Sequence, residues 1–243
     1  MNRSLLENDW QSVWLRKGRE ASGSRLEDLM RADGFDAGTG SMSVEDWLDR
    51  GEMIARRLEV GAGRRVLEVG CGAGAMLATM ERLGAVLHGV DYSESLVALA
   101  RRAQPQGRFD VAEAAKLPHA SGSFDACFSH GVFFYFSDLD YGRRALDEMR
   151  RVLAPGGRLF VLDVPDAALQ DECERYRRDT IYAGQDYPTS QDGPYRHLYY
   201  PRSFFARWAE ANGFSAEFVA HGLPSYPMSP YRFHVLLTDQ AAR

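Results

Sequence analysis

The chain has 243 residues, of which 45% are hydrophobic, and its formal net charge is −5 at pH 7. That length supports one domain with a substantial core, and the acidic balance disfavours a nucleic-acid partner held by bulk electrostatics. No apolar run approaches the roughly 20 residues of a membrane span, and the first residues lack the apolar segment of a secretory signal. We therefore expect a cytoplasmic protein without a membrane partner. The three widely spaced cysteines predict neither a disulfide framework nor a metal site.

Residues 1–60 are expected to form a helical cap on a single domain that spans 1–243. This region carries Trp10, Trp14 and Trp47. Ser43 is a favourable N-cap for a helix that presents Trp47 on its apolar side. Asp33-Gly34 and the glycine-rich stretch 38–41 predict breaks between the helices.

From residue 61 to residue 163 apolar strands alternate with helices. Strands are predicted at 65–69, 85–90, 108–111, 124–129 and 158–163, and helices at 74–83, 93–104 and 140–153. This alternation is typical of an α/β fold with a doubly wound, mostly parallel sheet.

The alternation stops after Asp163. Residues 164–200 are polar and tyrosine-rich, and so long a connection predicts a lid or an acceptor-binding insertion. Its tyrosines are Tyr176, Tyr182, Tyr187, Tyr195, Tyr199 and Tyr200. Residues 201–243 are predicted to add a helix near 202–212 and strands near 215–221 and 232–238.

The most informative motif is the glycine turn that follows the first predicted strand, Val66–Gly74. Its closely spaced glycines allow a ligand to approach the backbone, and the next helix begins behind them. The glycines alone also fit the dinucleotide fingerprint, so an NAD-dependent oxidoreductase is an alternative. Glu68 favours a ligand with an ammonium group, because its carboxylate would repel a pyrophosphate. Asp91, at the end of the next strand, suits ribose hydroxyls.

Each of these residues also has a structural interpretation. Glu68 could pair with a helix N-terminus, and Asp91 could cap the helix that starts near Ser93. Cys71 is interpreted as a small residue that fills the turn and not as a nucleophile.

The order of the motifs over about residues 65–163 resembles the class I S-adenosylmethionine (SAM)-dependent methyltransferases. Val66–Gly74 looks like the first motif of that family, and Asp91-Tyr92 looks like its ribose acid followed by a residue beside adenine. Residues 113–118 look like its "D-A-x-x-L-P" element, with Glu113 in place of the usual aspartate. Residues 123–129 match the fourth strand, and residues 151–158 match the "R-V-L-x-P-G-G" turn.

This resemblance implies a Rossmann-like, seven-stranded sheet with N-terminal helices and a lid insertion after the fifth strand. It also implies SAM as cofactor and S-adenosylhomocysteine (SAH) as product. The implied cofactor-binding residues are Glu68, Gly70, Cys71, Gly72, Gly74, Asp91, Tyr92, Glu113, Ala114 and Ser129. The resulting hypothesis is methyl transfer to an O, N or C atom of a small molecule, for example in specialised metabolism, by a monomer or homodimer. A SAM-binding regulatory protein without catalysis is a second alternative.

Three residues are candidates for catalysis. His130 follows the fourth strand and titrates in the range that a general base needs, although it could merely hydrogen-bond backbone or SAM. Tyr135 stands where many relatives have histidine. His197 lies in the predicted lid, where a solvated loop histidine is the alternative interpretation. The tyrosines of the lid could wall an apolar pocket or cage a cation, and Arg196 and Arg202 could pair a carboxylate or phosphate.

Overall fold

The computed structural model describes residues 10–35, 40–193 and 195–240. The parts of the predicted helical cap at 1–9 and 36–39, which include part of the glycine-rich break, lie outside the described residues. So do residue 194 of the predicted lid and residues 241–243.

The described part of the N-terminal region contains three α-helices: α1 (Trp10–Glu20), α2 (Leu26–Ala32) and α3 (Val44–Leu58). The Ser43 hydroxyl accepts a hydrogen bond from the Asp46 backbone N–H at 3.0 Å, so Ser43 caps α3 as predicted. Trp47 on α3 is buried, and its indole N–H donates to the carbonyl of Ala75 at 3.0 Å. This bond ties the N-terminal region to the start of the helix behind the glycine turn.

A seven-stranded sheet forms the centre of the fold, with the order β3-β2-β1-β4-β5-β7-β6. The first five strands run parallel, while β7 runs antiparallel to both β5 and β6. The strands are β1 (Arg65–Val69), β2 (Val86–Asp91), β3 (Arg108–Val111), β4 (Phe124–His130), β5 (Leu153–Pro165), β6 (Phe214–Ala220) and β7 (Arg232–Asp239). The predicted α/β fold class with a mostly parallel, doubly wound sheet is confirmed.

Helices cover both faces of this sheet. They are α4 (Ala75–Ala78), α5 (Glu94–Ala103), α6 (Leu139–Val152), α7 (Gln170–Tyr176) and α8 (Arg202–Asn212). Neighbouring residues on β1 point to opposite faces of the sheet. Val66 belongs to the apolar cluster beneath α3, α4 and α5, and Leu67 belongs to the cluster beneath α6 and α8. This two-sided burial explains why the strand is continuously apolar.

Two predicted elements have bounds that differ from the structure by more than one residue. The helix predicted at 74–83 is only the four-residue α4, followed by a 3₁₀ turn at Glu81–Leu83. The Thr79 hydroxyl donates to the Met76 carbonyl at 2.7 Å, and such local bonds compete with continuation of a helix. The fifth strand begins at Leu153 and not at 158, and it continues to Pro165.

The segment 164–200 contains a 3₁₀ turn at Ala167–Leu169, then α7, then a π-helical turn at Arg177–Ile181. Within the described ranges, the helices are all too short or too polar to cross a bilayer.

Candidate functional site

A cavity of about 400 Å³ lies at the carboxyl ends of the parallel strands. It begins at the crevice between β1 and β4, where the strand order reverses, and this is where open α/β sheets bind their ligands. Residues of α1, α3, the stretch 33–35 after α2 and the segment 164–200 complete its walls. Its volume falls in the range of roughly 300–1,000 Å³ that is typical of small-molecule sites.

All but two of the predicted cofactor residues line this cavity: Glu68, Gly70, Cys71, Gly72, Asp91, Tyr92, Glu113 and Ala114. Gly74 does not line it, and instead precedes α4 with a left-handed φ of 81°. Ser129 is buried, and its hydroxyl donates to the Val69 carbonyl at 2.8 Å. Ser129 therefore bridges β4 to β1 beneath the cavity.

Asp91 organises the glycine turn. Its Oδ2 accepts from the backbone N–H of Gly72 at 2.9 Å, and its Oδ1 accepts from that of Ser93 at 2.8 Å. Ser93, and not Asp91, occupies the N-cap position of α5. Asp91 thus fixes the end of β2 against the turn after β1, while its carboxylate stays at the cavity wall.

Asp33, at the end of α2, is a site residue that the sequence analysis missed. Its two carboxylate oxygens accept from the backbone N–H groups of Ala73, at 2.6 Å, and Ala75, at 3.3 Å. These groups lie at the start of α4, where a helix has unpaired N–H donors. No local pattern marked Asp33 beyond a helix break, because it lies 40 residues from Ala73 in the chain.

Three carboxyl groups thus gather around the glycine turn. Burial and, to a smaller extent, the charge of Asp91 raise the pKa of Asp33 to about 8. The pKa of Glu68 is raised well above its usual value by burial and by the charges of Asp33 and Asp91. One oxygen of Glu68, Oε2, has no hydrogen-bond partner among the described residues. Since buried acids and unpaired oxygens are costly, this end of the cavity suits a ligand that brings positive charge and N–H donors.

We expect Asp33→Asn to flatten the pH dependence of stability of the ligand-free protein. Asp33 has a pKa of about 8 when folded and an ordinary, lower pKa when unfolded. Between these values the folded state binds the extra proton, so stability falls as pH rises from about 4 to 8. Urea titrations measure the free energy of unfolding at pH 5 and at pH 8. Between these two pH values, the decrease in this free energy should be smaller in the variant than in the wild type by on the order of 1–3 kcal/mol. Asp49→Asn, at an exposed position on α3, is the control. Parallel curves for wild type and Asp33→Asn would refute this.

The three catalytic candidates line the other part of the cavity. The ring of His130 stacks on Phe35 with a centroid distance of 5.5 Å, and its Nε2 lacks a partner in the described part of the chain. Burial lowers the pKa of His130 to about 3. Burial and the neighbouring Arg177 also lower the pKa of His197. Both histidines are therefore neutral at physiological pH.

Helix α1 covers the cavity through Trp10. The Trp10 ring contacts those of Tyr135, Tyr195 and His197, with centroid distances of 4.5, 5.2 and 5.5 Å. The Trp10 carbonyl accepts from the Tyr92 hydroxyl at 3.3 Å. One residue of α1 thus connects the cofactor side of the cavity to the segment 164–200.

The tyrosines of that segment do not form a cage. Of the six, Tyr182 is the one that lines the cavity. The hydroxyls of Tyr187 and Tyr199 each donate to Glu174 at 2.7 Å, and that of Tyr200 donates to the Phe133 carbonyl at 3.0 Å. Arg196 and Arg202 also lie outside the cavity wall, whereas Arg177 and Arg232 line it.

A network around Asp163 forms the floor of this part. Asp163 has a φ of 61° at an irregularity of β5, and its backbone N–H donates to His234 Nδ1 at 3.0 Å. Its carboxylate pairs with Arg232, accepts from the Tyr226 hydroxyl at 3.3 Å and lies 3.2 Å from His221 Nε2. Left-handed backbone at a non-glycine residue often marks a functional site.

Comparisons with known proteins agree with this geometry. Residues 67–161 match a family model described as a methyltransferase domain. Methyltransferase GfsG of Streptomyces halstedii is 38% identical over 120 residues, which are 46% of this chain and 42% of that protein. Demethylmenaquinone methyltransferase of Thermus thermophilus is 40% identical over 110 residues, which are 43% of this chain and 49% of that protein. The chain thus aligns with less than half of either relative, and relatives named as probable tRNA methyltransferases match 41% of it.

Among solved structures, magnesium protoporphyrin IX methyltransferase from Synechocystis, crystallised with bound SAH, superimposes with a TM-score of 0.62. The alignment covers 96% of each chain at 15% identity. At that identity the likeness establishes the shared fold.

Proposed function

We propose that this chain is a class I SAM-dependent methyltransferase that transfers the methyl group of SAM to an O, N or C atom of a small molecule. The match of residues 67–161 to a methyltransferase domain supports this class, and SAM is the cofactor that the class uses. The identity of the site residues and the small-molecule nature of the acceptor are parts of our proposal.

The observation that carries the proposal is the group of buried acids around the glycine turn. SAM bears an ammonium and a sulfonium charge, and both would be stabilised beside Glu68, Asp33 and Asp91. Glu68 has the unpartnered oxygen that an ammonium group needs. We assign the methionine end to Glu68 and the glycine turn, the ribose to Asp91 and the adenine to Tyr92, Glu113 and Ala114.

The same arrangement argues against a dinucleotide. In dinucleotide-binding proteins the pyrophosphate binds at a helix N-terminus behind the glycines. Here the Asp33 carboxylate already takes the N–H groups of Ala73 and Ala75 at that position. A pyrophosphate would have to displace one carboxyl group while approaching two others.

The walls of the cavity favour a small acceptor. Helix α1 and the segment 164–200 cover it, and aromatic side chains from both, such as Trp10 and Tyr182, line it directly. The net charge of −5 offers no general attraction for nucleic acid. A compound that fits within such walls is far smaller than a folded RNA or protein.

We propose that the enzyme acts mainly by aligning the two reactants. SAM supplies an activated methyl group, and correct positioning of an acceptor contributes roughly 7–11 kcal/mol in favourable cases. Because a histidine with a pKa of about 3 is a weak base, neutral His130 serves better as a hydrogen-bonding group that orients the acceptor. Tyr135 and His197 line the same cavity and would contact the acceptor as well.

Calorimetric titration with SAH, and with NAD in parallel, tests the proposal. We expect SAH to bind with micromolar or tighter affinity and NAD not to bind. Binding of NAD alone would restore the oxidoreductase alternative. SAH binding without turnover across a broad acceptor screen would favour the non-catalytic, SAM-binding alternative.

A further inference from the structure

The end of the cavity away from the glycine turn is basic. Arg177 and Arg232 line it, and they are only 2% and 8% exposed. Both act electrostatically on the same two cavity residues, Tyr135 and His197. The cavity therefore has an acidic end around Glu68 and a basic end around these two arginines.

Arg232 is incompletely neutralised by its neighbours. Its carboxylate partner, Asp163, also interacts with His221 and Tyr226 and lies close enough to Arg50 to share its charge. Arg50 is itself buried behind the cavity, where its guanidinium contacts His221 and His234. Two buried guanidinium groups thus share one buried carboxylate. Asp46, the other acid that acts on Arg50, is half-buried and bonded to the hydroxyls of Ser43 and Ser225.

Arg177 also has a hydrogen-bond donor without a partner among the described residues. Its Nη2 donates to the Thr189 hydroxyl at 2.5 Å, and its Nε is buried without a partner among the described residues. The carboxylate nearest to it, Glu174, lies 3.7 Å away and already accepts from two tyrosine hydroxyls. A buried, unpartnered guanidinium N–H is costly, and an acceptor atom of a ligand would satisfy it.

The contact between Arg177 and His197 adds a donor to this end. Arg177 Nη1 lies 3.0 Å from His197 Nδ1. Because a guanidinium can only donate, Nδ1 must accept, and the proton of the neutral ring is then on Nε2. This arrangement favours His197 as a hydrogen-bond donor and disfavours it as a general base.

We propose that the methyl acceptor carries an anionic group, a carboxylate or a phosphate, which binds at the Arg177–Arg232 end of the cavity. This proposal rests on the proposed function and specifies the substrate class of the same site. Guanidinium groups suit both anions because their planar N–H donors match pairs of oxygens. With the cationic cofactor at the acidic end and the anion at the basic end, the electrostatics of the cavity orient the two reactants relative to each other.

The test uses small anions as probes on the SAH-saturated protein. Thermal unfolding is followed while benzoate or inorganic phosphate replaces chloride at constant ionic strength. We expect saturable stabilisation by at least one of them, since a ligand that binds only the folded state raises the melting temperature. Benzoate alone would indicate a carboxylate acceptor, and phosphate alone a phosphorylated one. Absence of saturable stabilisation by both anions would overturn the proposal.

Arg177→Gln should weaken the apparent affinity for the effective anion at least 10-fold and leave SAH affinity within about twofold. Arg178→Gln is the matched control, because its side chain is 62% exposed and paired with Asp179 in the same helical turn. Equal loss in both variants would mean a general charge effect and would contradict the proposal. If SAH binds and the anions do not, the proposal of an anionic acceptor fails and the methyltransferase proposal stands. If SAH does not bind, the methyltransferase proposal fails.

Discussion

Replacing Glu68 with glutamine is expected to weaken SAM and SAH binding by at least about 100-fold. The change keeps the shape of the side chain and removes its charge, and loss of one partner from a buried, hydrogen-bonded charge pair typically costs about 2–5 kcal/mol. A factor of 100 corresponds to about 2.7 kcal/mol. Glu68→Ala should have at least as large an effect, because it also removes the hydrogen-bond acceptor.

Calorimetric titration of the purified variants measures this effect. Glu81→Gln is the control, since Glu81 is exposed on the 3₁₀ turn after α4. Glu68→Gln should not destabilise the ligand-free fold, because burial and two neighbouring acids already disfavour the charged form of Glu68. A folded variant that binds SAH within about threefold of wild type would contradict our assignment of the methionine end.

Asp163→Asn is expected to reduce the free energy of unfolding by about 3–5 kcal/mol, the usual cost of removing one partner from a buried ion pair. Asparagine tolerates the left-handed backbone at this position at least as well as aspartate, so the change isolates the charge. It leaves the Arg232 guanidinium buried without its carboxylate partner. Urea unfolding monitored by tryptophan fluorescence measures the loss.

The pH dependence gives this prediction a second readout. Burial by itself would raise the pKa of Asp163, but the Arg232 guanidinium and His221 hold it well below its usual range. A depressed carboxyl pKa contributes stability above the unfolded pKa of about 3.9, and that contribution is lost as the pH falls below it. The difference in the free energy of unfolding between the wild type and Asp163→Asn should therefore become smaller at acidic pH.

Asp125→Asn provides the matched control. Asp125 pairs with Arg65 at 2.8 Å, but the two side chains are 25% and 45% exposed. Such surface pairs contribute about 0–1 kcal/mol. A loss for Asp163→Asn no larger than that for Asp125→Asn would show that the buried network does not stabilise the fold.

Much of the fold could be predicted from local patterns. The alternation of apolar strands with helices indicated the parallel sheet, and Ser43 marked the start of α3, which the structure confirms. The length of α4 could not be predicted in this way. The hydrogen bond from the Thr79 hydroxyl to the Met76 carbonyl competes with continuation of α4. The hydrophobic periodicity of the sequence does not reveal such a side-chain hydrogen bond.

The sequence by itself determined the fold class and the acidic half of the cavity. Glu68 and Asp91 end neighbouring parallel strands, and the ends of such strands necessarily meet at one edge of the sheet. Only the tertiary structure added Asp33, Arg177, Asp163 and Arg232. These residues come from α2, the π-helical turn, β5 and β7, and Arg232 lies 69 residues from Asp163 in the chain. Contacts over such separations depend on the antiparallel placement of β7 beside β5 and on how the covering segments pack, which local residue patterns do not encode.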